Sequence, residues 1–186
     1  MTQRIAFQGE LGAYSHQACT EARPGAEVLP CKTFEDVIAA VKSGAADLAM
    51  LPVENTIYGR VADIHRLLPE SGLRIVGEAF VRVHINLLGV RGARLNQIET
   101  ATSHTVLLGQ CRGFLREHSI TPHTGADTAG SARAIAELND PRHAALASEI
   151  AAEIYGLDVL ARHIEDHARN TTRFLVMSRE PDLKRR

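Results

Sequence analysis

Short apolar runs separated by amphipathic stretches fill most of this chain. Runs at 4–7, 28–31, 47–51, 120–123, 143–147 and 157–160 predict strands, with a weaker one at 98–101. Helix signatures lie between them. Thr33-Phe34-Glu35-Asp36 is a capping box opening a helix through Val37, Ile38 and Val41, which Gly44 stops. Ser15 is the expected N-cap of an earlier helix. Residues 62–68 form a helix that Pro69 and Gly72 end. Ser103 caps a helix whose Val106, Leu107, Cys111, Phe114 and Leu115 make one apolar face. Two more cover 132–138, opened by Asp127 to Ser131, and 148–155, closed by Gly156. The alternation predicts an α/β fold.

Two stretches break the rhythm. Residues 73–90 alternate apolar and polar positions for about twice an ordinary strand length. They predict a strand that leaves one sheet and enters another, a crossover between two lobes and a candidate hinge. Near the end, Asn170-Thr171-Thr172-Arg173-Phe174-Leu175-Val176-Met177 is a polar mouth opening into an apolar strand. If the strand starts at Asn170, period two sets Asn170, Thr172 and Phe174 on one face and Arg173 on the other. A hydroxyl at the rim of a sheet can donate a proton or hold an anion. A threonine pair there also serves strand propensity alone.

At 186 residues the chain is long enough for one domain or two small lobes, and 45% hydrophobic content can fill a core. A net charge of -1 excludes the basic footprint of a nucleic-acid binder and a polybasic membrane face. No apolar run approaches the roughly 20 residues of a membrane span. The N-terminus enters a strand without an apolar leader, and Cys19, Cys31 and Cys111 are odd in number and lack metal-ligand spacing. Reduced thiols and a cytoplasmic location are expected.

Candidate chemistry is spread along the chain. Gly9 and Gly12 after the first strand make a loop whose N–H groups can accept an anion, or a plain connection. They lack the third glycine of a dinucleotide fingerprint. Glu54, Asn55 and Thr56 follow the strand at 47–51, and open α/β sheets bind ligands at the carboxyl ends of strands. A solvated turn closed by Gly59 is the other reading. His163 and His167 are four apart without a zinc motif, so no metal is expected. Ser103 and His104 point different ways as neighbours, and no nucleophile elbow exists. On one helix, Ser103 and Gln110 share a face. What remains, namely Glu54, Asn55, Ser103, Gln110, Asn170, Thr172 and Arg173, suits a small oxygen-rich anion.

These motifs carry a resemblance. In order they are Gly9 to Ser15; Leu51-Pro52-Val53-Glu54-Asn55-Thr56 with Gly59 and Val61; Ser103-His104 with Gln110-Cys111; Asp127 to Ala132; Ala147-Ser148 to Tyr155-Gly156-Leu157; and Asn170-x-Thr172-Arg173-Phe174. Over nearly its whole length the chain resembles the catalytic region of prephenate dehydratases. The resemblance implies two α/β lobes like a type II periplasmic-binding protein, one of residues 1–80 plus 165–186, the other of 81–164, with the site in the cleft. It implies conversion of prephenate to phenylpyruvate, water and carbon dioxide on the way to phenylalanine, with no cofactor, and a homodimer. By the same resemblance Thr172 is the essential hydroxyl, with Glu54 a rival proton donor. Asn55, Ser103 and Gln110 line the substrate. Asn170, Arg173 and Phe174 complete the expected contacts, Arg173 as a carboxylate partner. Arogenate as substrate, a prephenate decarboxylase and a non-catalytic binding protein are the alternatives, although decarboxylases of this type lose the Thr-Arg-Phe signature.

Three departures from the family pattern stand out. The first motif reads Gly-Ala-Tyr-Ser where Gly-Thr-Phe-Ser is usual, and Thr105 replaces a common proline after Ser-His. The sequence ends at Arg186, without room for the regulatory ACT domain of most members. Feedback inhibition by phenylalanine through such a domain is therefore not expected.

Overall fold

The computed structural model describes residues 2–181. In chain order they form β1 (Arg4–Gln8), α1 (Tyr14–Ala22), β2 (Glu27–Cys31), α2 (Phe34–Ser43), β3 (Leu48–Asn55), β4 (Gly59–Arg60), α3 (Ala62–Ser71) and β5 (Arg74–Arg82). Next come β6 (Asn86–Gly89), β7 (Thr100–Ser103), α4 (Thr105–Gln110), α5 (Arg112–Glu117), β8 (Thr121–Thr124) and α6 (Thr128–Leu138). The series ends with β9 (His143–Ala147), α7 (Glu149–Tyr155), β10 (Asp158–Ala161) and β11 (Thr171–Ser178). Two compact α/β units result. One holds residues up to 10, 14–82 and from 169 onward; the other holds 11–13 and 83–168.

The first unit is built on a sheet of order β2-β1-β3-β11-β5, with β4 beside β3. β1 runs parallel to β2 and β3, while β11 is antiparallel to both β3 and β5. Ile5, Ala6 and Phe7 are all buried, as a strand covered on both faces requires. The capping box forms as expected: Thr33 Oγ1 accepts from the Asp36 N–H, and the Asp36 carboxylate accepts from the Thr33 N–H. It sets Val37, Ile38 and Val41 of α2 against Ala6, Ala49, Leu51, Leu175 and Met177.

Three boundaries in this unit differ from expectation. The strand predicted to end at Leu51 runs through Pro52 to Asn55. Pro52 faces β11 and is tolerated because the β3–β11 register shifts beside it, between Arg173 and Phe174, an irregularity of the kind at which a ladder N–H can be missing. The helix predicted to stop at residue 68 continues through Pro69 to Ser71 and ends at the left-handed Gly72. The carbonyl that Pro69 leaves without a donor belongs to exposed His65, where water can serve it. Helix α1 begins at Tyr14, so Ser15 lies in its first turn and is not its cap.

The second unit has a sheet of order β10-β6-β9-β7-β8. Alanines dominate its core: Ala145 and Ala147 of β9 pack with Ala132 of α6 and with Ala151 and Ala152 of α7, beside Leu88 and Ile135. Ser148 caps α7 and donates its hydroxyl to the Gly12 carbonyl, 2.6 Å away, while the Tyr155 hydroxyl donates to the Leu11 carbonyl at 2.6 Å. Gly12 is required here. Its φ is +94, and a Cβ would lie 3.0 Å from the Ala151 backbone.

The single helix expected after Ser103 is two, α4 and α5, separated by Cys111. Asp166 makes the break possible: its N–H donates to the Gln110 carbonyl at 2.7 Å, and its carboxylate accepts from the Gly113 N–H at 3.1 Å. Both exposed helix ends are thus satisfied from outside. The cap of α4 is His104, whose Nδ1 accepts from the Val106 N–H, and Ser103 belongs to β7. The helix-face relation expected between Ser103 and Gln110 therefore does not apply. The long alternating stretch at 73–90 is two strands in different sheets, β5 and β6, with residues 83–85 between them. The Glu165 carboxylate accepts from the Ile85 N–H at 2.9 Å and pairs with His84 at 2.8 Å. Among the described residues no helix is long and apolar enough to cross a membrane.

Candidate active site

Asn55 ends β3 opposite Thr172 near the start of β11. Its amide is fully used. Oδ1 accepts from the Ile57 and Tyr58 N–H groups at 2.9 and 3.1 Å. Nδ2 donates to Asn170 Oδ1 at 2.8 Å and to Thr172 Oγ1 at 3.0 Å. The two backbone donors fix which end of the amide faces which way. Thr172 Oγ1 therefore accepts from Asn55, and its own proton is directed elsewhere. Among the described residues no acceptor takes that proton. A half-buried hydroxyl held in this state is a ready donor to an incoming oxygen.

Thr56 braces the same corner. Its N–H donates to the Thr171 carbonyl at 3.0 Å, and its hydroxyl accepts from the Thr171 N–H at 3.0 Å. The sequence singles out Thr56 within its motif but gives it no role, because its partner lies 115 residues away. Asn170 is buried, at 3% exposure, beside the cluster.

The other expected site residues are placed differently. Register sets Glu54 opposite Arg173 on β11 and Arg60 on β4. Alternation turns that pair to the face away from Asn55 and Thr172. Arg173 is exposed and forms an ion pair with Glu78 at 2.8 Å. Phe174 is 1% exposed and belongs to the core. In the second unit, Ser103 is fully buried and donates to the Leu146 carbonyl at 2.8 Å, tying β7 to β9. Gln110 is also buried, at the end of α4. The structure thus gathers Asn55, Asn170 and Thr172, turns Glu54 and Arg173 to the opposite face, and buries Phe174 in the core two residues along β11.

No group of three His, Cys, Asp or Glu among the described residues is arranged to hold a metal. Burial pushes the Cys19 thiol up to about 12 and the Cys111 thiol higher still, the latter helped by Asp166 and Glu165, so neither is a nucleophile near neutral pH.

Comparison with known proteins adds three relatives and a family. A bifunctional N-acyl-homoserine lactone acylase/prephenate dehydratase of Komagataeibacter europaeus is 50% identical over 177 residues, covering 95% of this chain and 63% of the relative. Arogenate dehydratase/prephenate dehydratase 2 of Arabidopsis thaliana, a chloroplastic protein, is 40% identical over 178 residues, 96% of this chain and 47% of its own length. The crystal structure of prephenate dehydratase from Arthrobacter aurescens in complex with L-Phe superimposes with a TM-score of 0.88 at 31% identity. That match covers 98% of this chain and 62% of the other. The chain thus spans between about half and two thirds of these relatives. The family profile described as prephenate dehydratase matches residues 5–182, and the chain belongs to that family.

Proposed function

We propose that this chain catalyses the decarboxylating dehydration of prephenate to phenylpyruvate, a step towards phenylalanine, with Thr172 as the hydroxyl that serves the departing oxygen. The ring carboxylate leaves as carbon dioxide, its electron pair moves through the diene, and the C4–oxygen bond breaks. Aromatisation drives the step, so the protein's tasks are orientation and relief of charge on the leaving hydroxide. A threonine hydroxyl is a weak acid, so Thr172 acts chiefly as a hydrogen-bond donor to that oxygen, which leaves as hydroxide and takes its proton from solvent. The carrying observation is the Asn55 amide, which donates to Thr172 Oγ1 and leaves the hydroxyl proton for the substrate. Asn170 and Asn55 hold the position of Thr172.

Purified protein and Thr172→Ala are compared for phenylpyruvate formation. A fall of about a hundredfold or more is expected. An inert but folded parent would remove the dehydratase reading for prephenate, and arogenate is then the substrate to try, since the plant relatives carry that name. A second reading has its own support, the 50% identity to a protein named as both acylase and dehydratase. Release of free acid from an N-acyl-homoserine lactone, unchanged in Thr172→Ala, would establish a separate acylase site. The proposal also takes the enzyme as a cytoplasmic homodimer. Three cysteines outside any disulfide suit a reducing compartment. Exposed Ile75 and Phe80 on β5, at the edge of its sheet, suit self-association. Sedimentation at the mass of one protomer would remove the dimer.

A further inference from the structure

A cavity of about 470 Å³ lies in the second unit, between α4, α5 and the edge strand β8. Its floor is apolar, made by Leu108, Leu115 and Ile120, with Pro122 as a wall. Arg112 and Arg116 stand at the rim, one helical turn apart on α5. Neither guanidinium makes an ion pair or a side-chain hydrogen bond with another described residue. The lining holds no carboxylate. Two like charges at this spacing repel, and an anion between them reverses that. Thr105 and Thr124 also belong to the lining.

The occupant is constrained from two sides. Arginine forks select a planar, bidentate anion such as a carboxylate. An apolar floor in a space within the usual range of ligand pockets, about 300–1,000 Å³, asks for a hydrophobic body attached to it. Strand addition along β8 is disfavoured, because Pro122 has no N–H to offer a partner strand. We infer that the cavity bounded by Arg112, Arg116, Leu108 and Leu115 binds a small organic carboxylate with an apolar body. Its lining shares no residue with the cluster of Asn55, Asn170 and Thr172, so the inference stands whether or not the dehydratase proposal does.

The test titrates the whole chain with 3-phenylpropionate and octanoate, and with acetate and 3-phenylpropanol as the anion without a body and the body without an anion. Calorimetry gives affinities, and methyl NMR locates the shifts. Both amphiphilic carboxylates should bind, shifting the methyls of Leu108, Leu115 and Ile120, with acetate and the alcohol about tenfold weaker or worse. The double variant Arg112→Ala/Arg116→Ala should lose about tenfold or more in affinity while keeping its melting temperature, since both side chains are exposed. Arg112→Lys/Arg116→Lys should recover part of it. Thr172→Ala should bind as the parent does. Absence of binding, equal binding by the alcohol, or undiminished binding by the arginine double variant would overturn the inference. So would loss of binding in Thr172→Ala, which would assign the probes to the other cluster.

Discussion

In the proposed reaction Thr172 and Asn55 divide one task between a hydroxyl and the amide that orients it. Asn55→Asp tests the division. A carboxylate cannot donate to Thr172 Oγ1 or Asn170 Oδ1, yet it can still accept from the Ile57 and Tyr58 N–H groups. The turn should survive, while kcat falls by about tenfold to a hundredfold, the scale of a lost orienting contact. Glu54→Gln is the contrast: on the far face from Thr172, it should keep kcat within about threefold. A collapse of kcat in Glu54→Gln with Asn55→Asp unaffected would move the proton donor to Glu54. His16 carries a separate residue-scale effect. It stacks on Phe7 with ring centroids 5.6 Å apart, and burial lowers its pKa below the ordinary 6.5. The unfolded chain then binds the proton more readily, so stability is lost as pH falls through about 6.5 and levels off below the folded value. His16→Gln should flatten that part of the profile. Urea midpoints at about pH 5 and pH 7.5 for both proteins measure the difference, and identical slopes would remove His16 as the cause.

Where partners are close in the chain, elements were legible in the sequence. The α2 capping box, the Gly156 stop and the strand at His143–Ala147 depend on signals within a few residues, and all three stand as expected. The misread boundaries depend on distant chain. Pro52 is acceptable in β3 because the register with β11 shifts beside it, and Ser103 is a strand residue because its backbone pairs with β8. The site divides the same way. Alternation put Asn170, Thr172 and Phe174 on one face and turned Arg173 aside, but it could not show that Phe174 is buried in the core or that Glu78 pairs with Arg173. Nor could it reveal Asp166 satisfying both helix ends around Cys111. Asp166→Ala should therefore cost about 1 kcal/mol, the usual effect of a lost cap. Asp63→Ala, exposed in the first turn of α3, should stay within about 0.5 kcal/mol. Equal midpoints for the two variants in urea would show that the break between α4 and α5 stands without Asp166.

On the scale of the whole molecule, the strand that carries Thr172 also completes the first unit. β11 lies between β3 and β5, buries Phe174, Leu175, Val176 and Met177, and reaches the sheet only after the chain has passed through residues 83–168. The site and the closure of that sheet are one event. A chain ending at residue 168 lacks β11 and leaves β3 and β5 with unpaired inner edges, a loss that the remaining contacts cannot replace. The second unit keeps its own sheet, its alanine core and the hydrogen bonds of Ser148 and Tyr155 to residues 12 and 11. Two thiols report on the units separately. Cys19 is fully buried in the first and its pKa is held up to about 12; Cys111 is fully buried in the second. In the shortened chain Cys19 should alkylate at close to the rate of an unfolded thiol, while Cys111 stays protected. Protection of both would mean that β3 and β5 close without β11. Exposure of both would mean that residues 83–168 do not hold their fold on their own contacts. Mass spectrometry after a short iodoacetamide pulse reads the two sites apart.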